Sequence, residues 1–325
     1  MDTLTPSNRL PGMVSRLYFM GIILAFLLAL PYFLKPYLMH VMILIFFYAY
    51  LGQSWNILGG FAGQMSFGHA AFFGIGAYTS SLLFVHFGLT PWVGMWLGGV
   101  LAMLLGIGVG WISFRYGLKG AFFALVMLAF AEMLRLIFTN VMFLGAAQGI
   151  LLPLKGSDPF YFQFQGKNGY YYIALAMTVL ITLFTYRLAK SKTGCYLTTI
   201  RENETAAASL GVDIFKYKMR AMLISAFFTA LGGTFYAQYF LHIDPNLTFG
   251  SANSVEILLR PIIGGSGTVL GPILGAFLLT PAAEFTRGML KAYGGIDLMV
   301  YGIILMAVII YLPHGILGWM QRGSK

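Results

Sequence analysis

Apolar runs of about twenty residues follow one another along almost the whole of this chain, broken by short polar or basic stretches. Crossing a hydrocarbon core of about 30 Å takes roughly 20 residues of helix, and inside lipid only helices and closed barrels satisfy their own backbone. The runs cover residues 17–34, 37–58, 70–87, 92–114, 121–140, 170–188, 219–240, 251–263, 269–285 and 298–312. They predict an all-α, polytopic transmembrane helical bundle of eight to ten spans, ten if the short 251–263 piece crosses. No small-residue cleavage site follows the first run, so it reads as a retained span. Residues 1–325 then form a single membrane domain. Composition agrees: 59% of residues are hydrophobic and 9% charged, against roughly 25% charged in a soluble domain, which leaves too little polar surface to cover a globule in water.

The basic residues test the layout, because Lys and Arg collect in alternate loops on the cytoplasmic side. Arg9, Arg16, Arg115, Lys119, Arg187, Lys190, Lys192, Arg201, Lys216, Lys218, Arg220, Arg322 and Lys325 fall on one side, and Lys35, Lys155, Lys167, Arg287 and Lys291 on the other. Arg135 and Arg260 lie within spans. Both termini are therefore expected in the cytoplasm. The net charge of +10 thus reports orientation, not a nucleic-acid partner, since no basic patch is interleaved with exposed aromatics. Two connections are too long for turns: 141–169 outside, rich in Pro, Gly and aromatics and suited to a cap that meets a partner or the headgroup region, and 189–218 inside.

Chemistry is sparse. Nucleotide-binding, zinc-protease and nucleophile-elbow signatures are missing, so no catalytic residue, cofactor or metal is expected, and any energy source lies on another chain. The lone Cys195 excludes a disulfide framework and a Cys-rich metal site. Glu132 with Arg135, Glu256 with Arg260 and Glu284 with Arg287 stand three or four residues apart, so each pair can neutralise itself on one helix face. A proton or ion relay would need unpaired titratable groups, for which His69 is the candidate, and a lone His among Gly and Ala reads as a packing or hydrogen-bonding residue.

Three segments carry mechanism. In the inside loop, good helix formers run from Arg201 through Glu202, Glu204, Ala206 and Ala207 to Leu210, with Gly211 where a left-handed residue would end the helix. Its small face can fit a cleft on another protein; the alternative is a solvated loop helix. The second segment, Trp55 to Ala70, holds Gly60, Gly63 and Gly68, which can break a helix at membrane depth, and the polar Asn56, Gln64, Ser66 and His69. The third contains Gly264, Gly265, Gly267, Gly271 and Gly275, the last three at four-residue spacing for close helix contact. Both glycine-rich segments suit either a lined pathway or tight packing.

Together these segments resemble the branched-chain amino acid ABC-transporter permeases of the LivM type, over about residues 51–317. Ala206, Ala207 and Gly211 keep the family's Ala-Ala-x-x-x-Gly spacing, with Glu204 displaced by Thr205, and the Trp55 to Ala70 segment is the more distinctive match. The resemblance implies a subunit that is not itself an enzyme, in a bacterial inner membrane. Its expected partners are a second, paralogous permease, two ATP-binding subunits received by the loop around Glu204 to Gly211, a periplasmic or surface substrate-binding protein, and membrane lipid. The expected solutes are leucine, isoleucine and valine; urea, short amides or other amino acids are the alternative. From the residues alone, an ion-coupled transporter and a non-transporting scaffold stay open.

Overall fold

Pro36, Pro91 and Pro245 each open a helix at its first position, where the missing N–H costs nothing and the fixed φ is already helical. From such signals the apolar runs become helices. The computed structural model describes residues 21–22, 25–156, 158–290, 302 and 315–317. We number the helices α1 (Pro36–Asn56), α2 (His69–Phe87), α3 (Pro91–Arg115), α4 (Gly120–Asn140), α5 (Asn168–Lys190), α6 (Lys192–Glu202), α7 (Glu204–Ser209), α8 (Ile214–Phe240), α9 (Pro245–Phe249), α10 (Ser251–Gly265) and α11 (Gly271–Leu290). The only strands among the described residues are β1 (Ile150–Leu151) and β2 (His242–Ile243), an antiparallel pair that ties the long 141–167 connection to the end of α8.

Among the described residues, six helices are long and apolar enough to cross a membrane: α1 with its extension to Phe61, α2, α3, α4, α5 and α8. The chain is thus an all-α, multi-pass bundle. At 15 residues, α10 spans only about 22 Å, and it packs as a hairpin against α11. The expected run at 298–312 lies outside the described residues apart from Gly302, as do residues 17–20 and 23–24 of the 17–34 run.

Lipid tails are as apolar as leucine, so the helices hold together by close approach. A Cβ on Gly76 of α2 would stand 1.9 Å from the Ala230 carbonyl oxygen of α8, and one on Gly94 of α3 would stand 2.7 Å from Ser80 Cα. The core of α2, α3 and α8 therefore packs backbone to backbone. In contrast α4 buries only the stripe Phe123, Ala124, Met127, Ala131 and Leu134, and is the least covered of the six spans.

The first span does not end cleanly. After Asn56 it widens into a π-helical turn, Ile57–Phe61, and residues 62–68 run irregularly before α2 begins at His69. Gly60 and Gly63 touch Arg201 in the 189–218 loop, whereas Gly68 abuts Met127, seven residues into α4, and His69 meets Ser225, eleven residues into α8. At about 1.5 Å per residue, the segment climbs roughly 10–16 Å into the bundle, so α2 starts at membrane depth.

Candidate functional site

The 189–218 loop folds as two helices where a single one over 201–210 was expected. Asn203 is the cause: its backbone is extended and its side-chain oxygen accepts from the Ala206 N–H at 3.0 Å, the geometry of an N-cap, which outweighs the helix formers on both sides. Arg201 and Glu202 thus belong to the last turn of α6, and α7 is a separate helix whose first residue, Glu204, favours the positive end of its dipole. At the other end, Gly211 has φ +79°, its N–H bonds to the Ala208 carbonyl and the Val212 N–H to the Ala207 carbonyl. This Schellman closure requires a left-handed residue there.

Two side chains fasten α6 and α7 to the bundle. Glu204, 15% exposed, takes Lys119 of the α3–α4 turn at 2.9 Å and also Lys218, which is buried on α8. Arg201 donates from Nη1 to the Gly60 carbonyl at 3.0 Å and pairs with Glu202 at 2.7 Å. It fills the space left by two glycines: a Cβ on Gly63 would lie 2.7 Å from Arg201 Cγ, and one on Gly267, whose φ is +74°, would lie 2.1 Å from Nη1. Beside it opens a cleft of about 340 Å³ lined by Gln64, Lys119 and residues 200–205, among others.

The two glycine-rich segments therefore meet each other as well as the loop. Asn56 donates from Nδ2 to the Thr268 carbonyl and accepts from the Gly267 N–H, both at 2.8 Å, and Gln53 donates to the Val269 carbonyl. Of the three glycines at four-residue spacing, Gly267 sits in the α10–α11 turn against Gly60 and Arg201. The hairpin instead closes on Gly264, Gly271 and Gly275, where added Cβ atoms would stand 1.7 Å from the Gly271, 2.1 Å from the Gly265 and 1.9 Å from the Arg260 carbonyl oxygens.

The polar residues of the second segment face inward, and Asn56, Gln64, Ser66 and His69 are all buried. Ser225 donates to the Ser54 carbonyl at 2.7 Å, so toward His69 it can only accept; His69 then donates from Nε2 and accepts the Ser66 hydroxyl at Nδ1, each at 2.8 Å. A neutral imidazole satisfies every partner in this set.

The three charge pairs all form. Arg135 binds Glu132 through Nε at 2.9 and 3.0 Å, and Arg287 binds Glu284 at 3.1 Å. Glu256 receives both Arg260 at 3.4 Å and Arg287 at 3.1 Å, and the Arg260 guanidinium lies 3.4 Å from the Tyr48 ring centroid. Sequence reasoning missed Lys119 and Lys218 as partners of Glu204. It also missed Leu210, 77% exposed at the tip of α7, although a leucine in a polar turn was the available signal. Cys195 is exposed on α6.

Burial alone would raise the Glu204 carboxyl, but hydrogen bonds from Lys218 and Lys119 outweigh it and hold the group below the usual carboxylate value. A depressed acid stabilises docking above its ordinary range and loses that contribution as pH falls through the lowered value. Amide protection across residues 204–212, taken relative to the intrinsic base-catalysed exchange rate at each pH, is therefore expected to fall in acid and to stay constant from neutral pH upward. Glu204→Gln, which leaves Lys218 buried without its anion, should show the same loss of protection already at neutral pH.

The family model described as "Branched-chain amino acid transport system / permease component" matches residues 37–309. The chain is 28% identical over 94% of its length to the high-affinity branched-chain amino acid transport system permease protein LivM of Escherichia coli (strain K12), covering 75% of that relative. It is 26% identical to the probable branched-chain amino acid transport permease protein LivM of Methanocaldococcus jannaschii, over 85% of this chain and 92% of that one. It also matches the probable LivH permease of that organism at 23% identity, over 75% of this chain and 80% of the relative. No solved structure matches the chain.

Proposed function

The chain belongs to the family of branched-chain amino acid transport permease components, and from that premise we propose that it is one of two membrane-spanning subunits of an ATP-driven importer for leucine, isoleucine and valine. The second subunit is a paralogous permease, a reading supported by the likeness to both LivM and LivH relatives. The complex sits in the bacterial inner membrane with both termini and the 189–218 loop in the cytoplasm. There α7 enters a cleft on one of two ATPase subunits, while the cap at 141–167 receives a substrate-binding protein.

One observation supports this reading: the α6–α7 pair, whose second helix would meet the ATPase, is anchored at once to three parts of the membrane bundle. Glu204 holds the α3–α4 turn and α8, and Arg201 holds the broken end of α1 beside the α10–α11 turn. Closure of the ATPase pair against α7 would thus move several spans together. Ala207 is fully buried under the helix, whereas Thr205, Ala206, Ser209 and Leu210 are presented outward, so the contact surface is small and needs little side-chain ordering.

Mild solubilisation of the tagged chain should bring down two ATPase subunits and a second permease, and reconstituted uptake of leucine should require ATP. Uptake driven by an ion gradient without ATPase subunits would overturn the importer reading. Within the loop, Ala207→Trp has no room and Gly211→Val forces a β-branched residue into a left-handed conformation that costs about 1–2 kcal/mol or more. Both variants should insert and assemble while leucine uptake falls about tenfold or more and ATP hydrolysis persists; unchanged uptake in both would remove the coupling role.

A further inference from the structure

A charged pair stands on the outside of the least covered span. Glu132 and Arg135 of α4 bind each other, yet the Glu132 side chain is 46% exposed and that of Arg135 24%. Arg135 also donates from Nη1 to the Asn246 side-chain oxygen on α9 at 2.7 Å. Glu132 lies eight residues from the nearer end of α4, about 12 Å inside the bundle, at a depth where a charge facing hydrocarbon is expensive.

Two interruptions of regular structure abut the same span. The irregular 62–68 segment ends at Gly68, where a Cβ would stand 2.0 Å from the Met127 carbonyl oxygen, and within it Met65 is 48% exposed. The α9–α10 junction at Gly250 follows the helix that supplies Asn246. Non-helical backbone is not found facing lipid; it occurs where protein or a water-lined cavity covers it. Exposed charges and helix breaks gathered on one flank are the marks of a polar route, not of a lipid face.

We infer that Glu132, Arg135 and Asn246 form a binding station for the charged head of a zwitterionic amino acid, in the seam between this chain and the second permease. The identity of the solute and the presence of that second subunit rest on the function proposed above. The Arg135 fork matches a carboxylate and Glu132 accepts from an ammonium. The pair has no net charge, so it closes on itself when the station is empty and opens to a ligand that brings both charges. A ligand carrying one charge would leave one partner unpaired within the seam.

The test uses the full transport complex in membranes, with Cys195→Ser as background. Ala129→Cys, one turn from Glu132 and exposed, should react with an impermeant, charged methanethiosulfonate, and leucine should slow that reaction. Leu104→Cys, 56% exposed in the middle of α3, should stay unlabelled, and neither 4-methylpentanoate nor leucinol should protect Ala129→Cys. Glu132→Gln and Arg135→Gln should each raise the KM for leucine about tenfold or more. Labelling of Ala129→Cys no faster than that of Leu104→Cys overturns the station, as does an unchanged KM in both variants. Uptake without any ATPase subunit would remove the importer reading and leave the labelling contrast standing, so the two failures are distinguishable.

Discussion

Gly264→Ala is expected to destabilise the detergent-solubilised protein by about 3 kcal/mol, the top of the usual range for overpacking a well-packed site. The added Cβ would lie 1.7 Å from the Gly271 carbonyl oxygen, and neither backbone is free to retreat, because Gly275 presses on Arg260 and Gly271 on Gly265 in the same hairpin. Parting α10 from α11 would also pull Gly267 and Thr268 away from Asn56. The matched control is Gly108→Ala on α3, where nothing lies within 4 Å and alanine favours the helix by about 1 kcal/mol. Thermal denaturation followed by size-exclusion chromatography reads both. A Gly264→Ala protein as stable as the control would show that the hairpin contact is not formed.

The second large effect falls on transport. Arg201→Ala is expected to lower ATP-driven leucine uptake about tenfold or more while ATP hydrolysis continues, because the loop would keep its Glu204 tether but lose its grip on the broken end of α1. Arg201→Lys should rescue little: a lysine retains the charge but lacks the planar fork that reaches the Gly60 carbonyl and Glu202 together. Paired uptake and ATPase assays on the reconstituted complex separate this outcome from simple misfolding. Parallel loss of both activities would make Arg201 a folding residue, and rescue by lysine would reduce its role to charge.

Much of the bundle was legible because one physical rule, satisfaction of the backbone in lipid, converts apolar runs directly into spans. The 37–58, 70–87, 92–114, 121–140, 170–188 and 219–240 runs each reappear as a helix within several residues. The ion pairs were legible for the same local reason, since residues three or four apart on a helix are neighbours. What sequence spacing could not supply was the meeting of distant pieces. Gly60 and Gly267 are separated by most of the chain, and nothing in either motif says that they meet or that Arg201 packs over both. Lys119 and Lys218 likewise gave no sign of converging on Glu204. The break at Asn203 was hidden for another reason: strong helix formers flank it, and one capping side chain decided the outcome against them.

The exposed thiol on α6 has a practical side. Cys195 is the chain's single cysteine, six residues from Arg201 on the same helix, or about 9 Å along its axis. A nitroxide or fluorophore attached there needs no engineered background, and it would ride on the helix that carries Arg201. Spectroscopy on the otherwise native sequence could then time the loop's movement against each nucleotide turnover.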